Sequence, residues 1–354
     1  MNAPAPLALT VRAADLRDPA ECARLDGFVA EHPDGGHFHR PQWSRTVERG
    51  CGQRAHYLVA ERGGAMVGCL PLIEVRSPLF GNAFVASGFA TGGGILADSD
   101  EVARALGEAG WALTWRHGCN SLELRGGPLP EGWTRQEGTY ANFDRDLPGD
   151  GETLFASLPR RQRAQIRRAQ RFELKTSVSS DRAHRNAHYR VLSESYHNLG
   201  TPVFSQRLFE AALDEYGADA DILLVEKDGR PLAALLSLYF KGICQPFWGG
   251  GTAEARDWSA NDLAYFELMR RAIERGCTRA DFGRSKIGTG AWQRKRIWRF
   301  DETPLVYGVR TAFGAAPRQI NPSSPRYSLQ VAAWQKLPLG LASRLGPFIA
   351  RGLG

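Results

Sequence analysis

Long apolar runs, paired cysteines and methionine are scarce in this 354-residue sequence, which contains 6 Cys and 3 Met. Its longest apolar stretch, residues 232–240, is well short of the roughly 20 residues of a membrane-spanning helix. The N-terminal residues lack a cationic segment followed by an apolar core, so we predict no signal peptide. The cysteines are scattered without a CxxC pair, which disfavours zinc and disulfide frameworks and favours a reducing cytoplasm.

The charge is positive, with a formal net value of +7, and most of the cations are arginine. Arginine suits phosphate and carboxylate groups, so this balance favours an anionic partner. A GC-rich genome produces the same composition, and charge alone therefore does not identify the partner. With 43% hydrophobic and 23% charged residues, the chain is typical of a globular protein, and its length predicts two domains.

The two halves of the sequence repeat one pattern. Three segments of the first half match three of the second at offsets of 165, 157 and 158: residues 58–70 with 223–235, Gly92–Gly94 with Gly249–Gly251, and 117–126 with 275–284. Matches in the same order at nearly one spacing indicate an internal repeat. Each copy reads as a helix, a strand hairpin, a third strand, a glycine turn, a helix and a strand. This is the layout of an N-acyltransferase domain of the GNAT type.

We therefore predict an α/β protein with mixed sheets, in which residues 1–150 and 151–312 form tandem GNAT-like domains. Residues 313–354 are predicted to be a linker, at 321–330, and an amphipathic tail.

The tail from residue 333 carries Lys336, Arg344 and Arg351 among apolar residues and contains no acid. Pro338 and Pro347 predict short turns rather than a continuous helix. Such a tail can dock on its own domains, on a partner, or on an anionic membrane surface.

Residues 281–307 combine cations and aromatic rings at unusual density. Asp281, Arg284, Ser285, Lys286, Arg294, Lys295 and Arg296 fall within sixteen residues, mixed with Phe282, Trp292 and Trp298. One interpretation is a partly dry cleft lined by fixed cations. The alternative is a basic edge hairpin with aromatic packing.

With the repeat, this stretch resembles the FemAB-like proteins of the GNAT superfamily, most of all the subgroup found with exosortase and PEP-CTERM exopolysaccharide systems. The motif GRSK-x-GTG at 283–290 is the most specific part. The other matching residues are 37–47, 69–94, 199–204, 260–276, Lys295, Trp298, 304–307 and the tail from 321. Fem-type enzymes move aminoacyl groups from aminoacyl-tRNA onto amines of cell-wall precursors. The resemblance implies an acyl or aminoacyl transferase acting on an amine of a cell-envelope or exopolysaccharide intermediate.

For catalysis we predict Lys295 to stabilise a tetrahedral oxyanion, Arg284 to anchor an anionic group, and Asp281 to act as a base or to hold Arg284. Structural roles are the alternatives: Lys295 paired with Asp301, and Asp281 as a strand-end residue. Where the family has an aromatic ring before the lysine, this chain has Arg294. An aromatic partner would have to be Trp292 or Trp298.

For substrate binding we predict Ser285, Lys286, Trp292, Trp298, Asn261, Tyr265 and Arg167, with capping as the alternative role of Asn261. Arg167 belongs to a stripe with Arg160, Arg163 and Arg171 on a predicted helix at 152–171. The alternative is that this stripe is only a solvated face of the helix. His184 and His188 lack a third ligand nearby, so no metal site is predicted.

No resident cofactor is predicted, and the donor substrate is acyl-CoA or aminoacyl-tRNA. The glycine-rich pyrophosphate loop of CoA-dependent GNAT domains is missing before the helix at 259, which weakens acyl-CoA. Expected partners are an anionic small molecule or lipid-linked saccharide, tRNA, and a membrane surface contacted by the tail. We expect a cytoplasmic protein, peripheral to the inner membrane. The alternative functions are a non-catalytic scaffold or anionic-polymer binding protein, and a weaker RNA-binding role.

Overall fold

The computed structural model describes residues 7–315 and 325–354. The helices are α1 (Pro19–Glu31), α2 (Pro41–Cys51), α3 (Asp100–Arg116), α4 (Gly151–Ser157), α5 (Arg160–Arg171), α6 (Arg182–Asn198), α7 (Gln206–Tyr216), α8 (Ala260–Glu274), α9 (Gly290–Ile297), α10 (Pro325–Lys336) and α11 (Leu339–Ala350). The strands are β1 (Leu9–Ala13), β2 (Arg54–Arg62), β3 (Ala65–Ser77), β4 (Gly81–Ala86), β5 (Leu96–Ala97), β6 (Ser121–Arg125), β7 (Thr134–Gln136), β8 (Tyr140–Asp146), β9 (Lys175–Ser179), β10 (Ala220–Lys227), β11 (Arg230–Phe240), β12 (Ile243–Gly251), β13 (Arg279–Lys286), β14 (Asp301–Pro304) and β15 (Tyr307–Thr311).

The described residues form two compact units, each built on one sheet. Unit 1 contains residues 7–137, 306–315 and 351–354, and unit 2 contains residues 138–305 and 325–350. The sheet of unit 1 has the order β1-β2-β3-β4-β6-β15-β7, with β5 paired to β3. The sheet of unit 2 has the order β14-β8-β13-β12-β11-β10-β9.

The repeat predicted from the sequence is present in the two sheets. In unit 1 the antiparallel meander β2-β3-β4 is followed by α3 and by β6, which is parallel to β4. In unit 2 the meander β10-β11-β12 is followed by α8 and by β13, which is parallel to β12. Apolar residues of the central strands pack against these helices, since Leu72 and Leu106 share one buried cluster, and Leu235 and Leu268 another. The prediction of a mixed α/β fold with two repeated domains is confirmed.

The compact units differ from the predicted boundaries at two strands. The predicted first domain, at 1–150, includes β8, but this strand pairs with β13 and β14 of unit 2. The predicted second domain, at 151–312, includes β15, but this strand pairs with β6 and β7 of unit 1. Both strands are placed by backbone pairing with residues far away in the chain, and such pairing leaves no local signal in composition.

Proline accounts for one further correction, and a second concerns the tail. The helix predicted at 152–171 is broken at Pro159, whose extended ψ of 145° separates α4 from α5. In the tail, α11 includes Pro347 and is not a set of short turns. Its small residues Ala342, Gly346 and Ala350 are buried, and this packing holds the helix despite one lost backbone donor. Of the predicted linker, residues 321–324 lie outside the described residues and 325–330 begin α10.

No helix within residues 7–315 and 325–354 is long and apolar enough to cross a membrane. All six cysteines are free and buried, in agreement with the expected lack of a disulfide framework.

In unit 1, residues 87–95 follow β4 and contact β6 beyond the last pair that the two strands share. The parallel ladder has only the pairs Phe84–Leu122 and Val85–Glu123. Beyond it, Arg125 Nη1 donates to the carbonyl of Ala90 at 2.7 Å, which ties this segment to β6. A Cβ added to Gly94 would lie 1.9 Å from the carbonyl oxygen of Gly126, so the two backbones are in direct contact.

We predict that Gly94→Ala lowers the free energy of unfolding by about 2 kcal/mol, because the added methyl group meets backbone that cannot move aside. Gly92→Ala is the matched control, since its Cβ would meet nothing within 4 Å. Urea unfolding of both variants checks the prediction. Equal stability of the two variants would contradict the close packing described for this segment.

Candidate functional site

The candidate site is the gap between β12 and β13 in unit 2. These strands are joined by only two parallel pairs, Ile243–Arg279 and Cys244–Ala280. Beyond these pairs β12 continues to Gly251, paired with β11. β13 continues to Lys286, paired with β8. Beyond Cys244 and Ala280 the two strands are therefore not paired with each other.

Two glycines at the end of β12, Gly250 and Gly251, allow two helices to approach the strand closely. A Cβ at Gly250 would lie 2.6 Å from Ser195 Oγ of α6, and one at Gly251 would lie 2.3 Å from Asn261 Oδ1 of α8. Asn261 is thus placed against the end of β12, at the gap. It does not cap α8, because Ser259 occupies the capping position, where φ is +55°.

Asp281 holds the strands together at the point where they separate. Its Oδ1 accepts hydrogen bonds from Asn142 Nδ2 at 3.0 Å and from the backbone N–H of Gly283 at 2.7 Å. Its Oδ2 accepts one from Gln245 Nε2 of β12 at 3.1 Å. Burial raises the pKa of Asp281, and the two donors to Oδ1 oppose this shift. With three donors engaged, the carboxylate has the contacts of a structural anchor.

Next to Asp281, β13 carries a bulge that Lys295 fills. The register with β8 shifts between Asp281 and Arg284, and Gly283 has a φ of +65°. Lys295 is a buried residue of α9, and its Nζ donates to the carbonyl oxygens of Phe282, Gly283 and Arg284 at 2.5, 2.9 and 3.3 Å. An ammonium group has three protons, so all of them are used by the bulge.

The predicted Lys295–Asp301 pair is not among the salt bridges of the described residues. Burial of the amine lowers the pKa of Lys295 to about 8, and the nearby Asp281 carboxylate opposes this shift.

Aromatic rings pack beside the bulge. Phe282 stacks on Phe300 with ring centroids 4.1 Å apart, and Tyr265 lies 5.0 Å from Phe282 and 5.5 Å from Trp298. Trp298 is completely buried. Tyr265 and Trp298, predicted to bind substrate, are therefore part of the core that supports β13.

The remaining predicted residues of β13 lie at its C-terminal end. Arg284 places its guanidinium 4.7 Å from the ring centroid of Tyr140, while Ser285 is buried and pairs with Ala141. Lys286 is half-buried, and its carbonyl accepts a hydrogen bond from Thr289 Oγ1, which begins α9.

The two arginines and the tryptophan of α9 contact acidic residues, and Arg296 pairs with Glu302 at 3.5 Å. Arg294, which occupies the position of the expected aromatic ring, pairs with Asp262 at 3.2 Å and lies 5.7 Å from the Tyr265 ring. Trp292 donates from Nε1 to Glu302 at 2.7 Å, and Arg296 lies over its ring.

Arg167 does not join this group. It lies over Phe155 and lines a separate groove of about 940 Å³ between α4, α5 and α8, with Arg270 and Glu274. The histidine pair also has other roles, since His184 contacts Ser177 at 3.0 Å and His188 contacts the carbonyl of Trp248.

The sequence reasoning missed Asn142, Gln245 and Tyr140. Gln245 was detectable as a polar residue in an apolar strand. Asn142 and Tyr140 are on β8, which sequence analysis assigned to the other domain, and Asn142 is 139 residues from its partner Asp281.

Comparison with known proteins supports the GNAT-like fold. Residues 159–294, within unit 2, match the family model of an acetyltransferase (GNAT) domain. The chain is built from two tandem GNAT-like domains. No curated protein sequence matches it.

Three solved structures share the fold at low sequence identity. A structure of FemX gives a TM-score of 0.65 at 17% identity, covering 80% of this chain and 95% of FemX. The C-terminal domain of a putative lysylphosphatidylglycerol synthetase from Agrobacterium fabrum gives 0.55 at 12%, covering 82% and 92%. A tandem GNAT protein from the clavulanic acid biosynthesis pathway gives 0.53 at 13%, covering 88% and 100%. These matches show the fold that the resemblance to FemAB-like GNAT proteins implies, whereas the exopolysaccharide subgroup stays a prediction.

The buried amine of Lys295 leads to a pH-dependent stability. Between pH 8 and 10.5 the unfolded chain keeps a proton that the folded chain has released. The cost of the buried charge is therefore relieved as the pH rises through this range. We predict that the free energy of unfolding of the wild type, relative to Lys295→Met, increases by about 1.4 kcal/mol per pH unit from pH 8 to 10.

Urea unfolding at pH 7, 8, 9 and 10 measures this difference. Lys336→Met is the control, because Lys336 is exposed on α10, and its difference from the wild type should not change with pH. A constant difference for Lys295→Met would show that the amine is not desolvated as described.

Proposed function

We propose that the protein is an acyl or aminoacyl transferase whose reaction takes place in the gap between β12 and β13. The observation that carries this proposal is the contrast between the two units. In unit 1 β4 ends at Ala86 and residues 87–95 contact β6, whereas in unit 2 β12 and β13 both extend past their last shared pair. The acetyltransferase match also covers unit 2.

The reaction joins an acceptor amine to the carbonyl carbon of the donor. A C–N bond forms, and either the thioester C–S bond of acyl-CoA or the ester C–O bond of aminoacyl-tRNA breaks. The leaving thiolate or ribose oxygen takes up the proton that the amine releases. An oxyanion develops on the carbonyl oxygen between these steps, and fixed N–H donors would stabilise it.

Lys295 and Asp281 are best assigned as positioning residues within this scheme. All three protons of Lys295 are bound by carbonyls of the bulge, and Asp281 already accepts three hydrogen bonds. Both residues fix the backbone of β13. The Gly283 N–H is already bound by Asp281, so the oxyanion donors that we propose are other backbone N–H groups beside the gap. Asn261 is placed to orient the substrate from the other side, at the end of β12.

The donor and acceptor belong to this proposal as well. Arg284 and Lys286, next to the gap, are suited to a phosphate or carboxylate, which favours an anionic or lipid-linked saccharide acceptor. The FemX and lysylphosphatidylglycerol synthetase likenesses add support for an envelope substrate and for aminoacyl-tRNA as the donor, beside acyl-CoA. We propose an exopolysaccharide intermediate as the acceptor.

A second candidate is a binding protein for an anionic polymer, including RNA. It is favoured by α5, in which Arg160, Arg167 and Arg171 are exposed and no acid is present. On this alternative, polyanions would bind the protein while donors would not.

Gly251→Ala is predicted to reduce kcat/KM about 100-fold, because the new methyl group displaces Asn261 from the gap. Donors are first identified by thermal shift with acyl-CoA and aminoacyl-tRNA, and turnover is then measured with the stabilising donor and amine-bearing saccharide phosphates. Asn186→Ala, an exposed change on α6, is the control and should retain full activity. Stabilisation by neither donor, together with tight polyanion binding, would favour the second candidate.

We further propose that α11 docks the protein on the cytoplasmic face of the inner membrane. Leu341, Leu345 and Phe348 are 44%, 42% and 74% exposed and follow each other at helical spacing. Ala342 and Gly346 face the opposite way, and a Cβ at Gly346 would meet the backbone of Val203 at 2.8 Å. The helix is thus fixed to the protein by its small residues and presents an apolar stripe outward.

The charges of this region favour an anionic lipid surface over a protein partner. Lys336 and Arg344 are exposed, and α10 and α11 contain no acid. A helix with an outward apolar stripe and flanking cations lies in the interface of anionic bilayers.

Leu345→Glu is therefore predicted to weaken binding to phosphatidylglycerol-containing vesicles roughly tenfold, because one leucine side chain no longer enters the bilayer. Co-sedimentation of the full chain measures this, with phosphatidylcholine vesicles as the uncharged surface. Ala333→Glu, an exposed change of equal charge on α10, is the matched control. Equal binding by the two variants would rule out the stripe as the docking surface.

A further inference from the structure

Two histidines and a glutamate converge in unit 1. His56 is on β2, Glu74 is on the neighbouring strand β3, and His117 follows directly after α3. Within the described part of the chain they form the one group of three or more potential metal ligands whose ligand atoms lie within 4.8 Å of one another. We refer to these three residues as the His–Glu–His cluster.

The distances within the cluster are close to those between zinc ligands. His56 Nε2 and His117 Nδ1 lie 3.2 and 3.0 Å from the same oxygen, Oε2 of Glu74. In a tetrahedral site with ligand atoms about 2.0–2.1 Å from zinc, neighbouring ligand atoms are roughly 3.3 Å apart. Small side-chain movements would therefore place an ion between the three atoms.

The surroundings hold the three side chains in this arrangement. Both imidazole rings pack on the buried ring of Phe84, with centroids 5.2 Å and 5.5 Å away. Arg76 binds the other oxygen of Glu74 and donates to the carbonyl of His117 at 3.1 Å. Hydrogen-bonded carboxylates and an apolar shell of this kind orient the ligands in known metal sites.

The cluster is protected but not sealed. The side chains of His56, Glu74 and His117 are 16%, 3% and 23% exposed. Glu74 and Arg76 also line an adjoining pocket of about 310 Å³. Solvent or a small anion in this opening can supply the ligand that three protein residues leave missing.

We propose that the His–Glu–His cluster binds one Zn²⁺ ion, which joins β2, β3 and the end of α3. Two imidazoles and one carboxylate suit zinc and the neighbouring transition metals, and they do not suit Mg²⁺ or Ca²⁺, which take oxygen ligands. The proposed ion site belongs to unit 1, whereas the proposed transferase site belongs to unit 2.

The test uses the full chain, treated with a chelator and then titrated with Zn²⁺ against a chromophoric competitor. We expect one ion per chain, and a Tm that rises with the Zn²⁺ concentration. His117→Gln and His56→Gln should each weaken the apparent affinity at least tenfold, while circular dichroism confirms that the variants are folded. His184→Gln is the matched control, because this histidine is outside the cluster and should leave zinc binding unchanged.

A purely hydrogen-bonded cluster predicts a different result. In that case the His117→Gln and wild-type proteins would bind zinc equally or not at all, and the Tm of the wild type would not respond to the metal. Either outcome would overturn the proposal. Tetrahedral Co²⁺ absorption that appears in the wild type and disappears in both cluster variants would support it independently.

Discussion

The second domain depends on the way in which one parallel strand pair ends. β12 and β13 share two residue pairs and then separate, and a buried carboxylate secures the junction. Asp281 binds Gln245 of one strand, Asn142 of a third strand and the backbone of its own bulge. A buried charge is costly unless it is fully hydrogen-bonded, and here three donors meet that requirement. Lys295 completes the arrangement from α9 by binding the carbonyls that the bulge leaves without a strand partner.

The two domains share a scaffold and differ in the segment that follows the parallel ladder. Both have the meander, the crossover helix and a two-pair parallel ladder. After the ladder, β4 of unit 1 ends at Ala86 and the chain turns, with positive φ at Ser87 and Phe89. At the same point β12 of unit 2 remains extended as far as Gly251. The two units therefore differ in backbone conformation over a few residues directly after the parallel ladder.

Much of the fold could be predicted from the sequence, because helix periodicity, turns and the repeat are local signals. α1 and α6 both begin after an aspartate, Asp18 or Asp181, whose side chain accepts a hydrogen bond from a backbone N–H of the first turn. The bulge could not be predicted, since it depends on Asn142 and on a lysine that reads locally as one more cation of a basic run. The chemistry of Tyr265 and Trp298 likewise predicts substrate binding, and only the packing in the structure shows that they support β13 from the core. Sequence identifies which residues are unusual, while their partners come from distant strands.

The placement of β8 and β15 bears on how the chain can be synthesised and folded. Unit 1 needs β15, at Tyr307–Thr311, to join β6 and β7, so its sheet cannot be completed until most of the chain has left the ribosome. Domains usually fold one after another during translation, and contacts between distant residues slow folding. Until then the edge of β6 is without its neighbour, and an unpaired edge invites aggregation. A protein arranged in this way is expected to finish both domains together, and truncation before residue 307 should leave neither a complete first domain nor a soluble product.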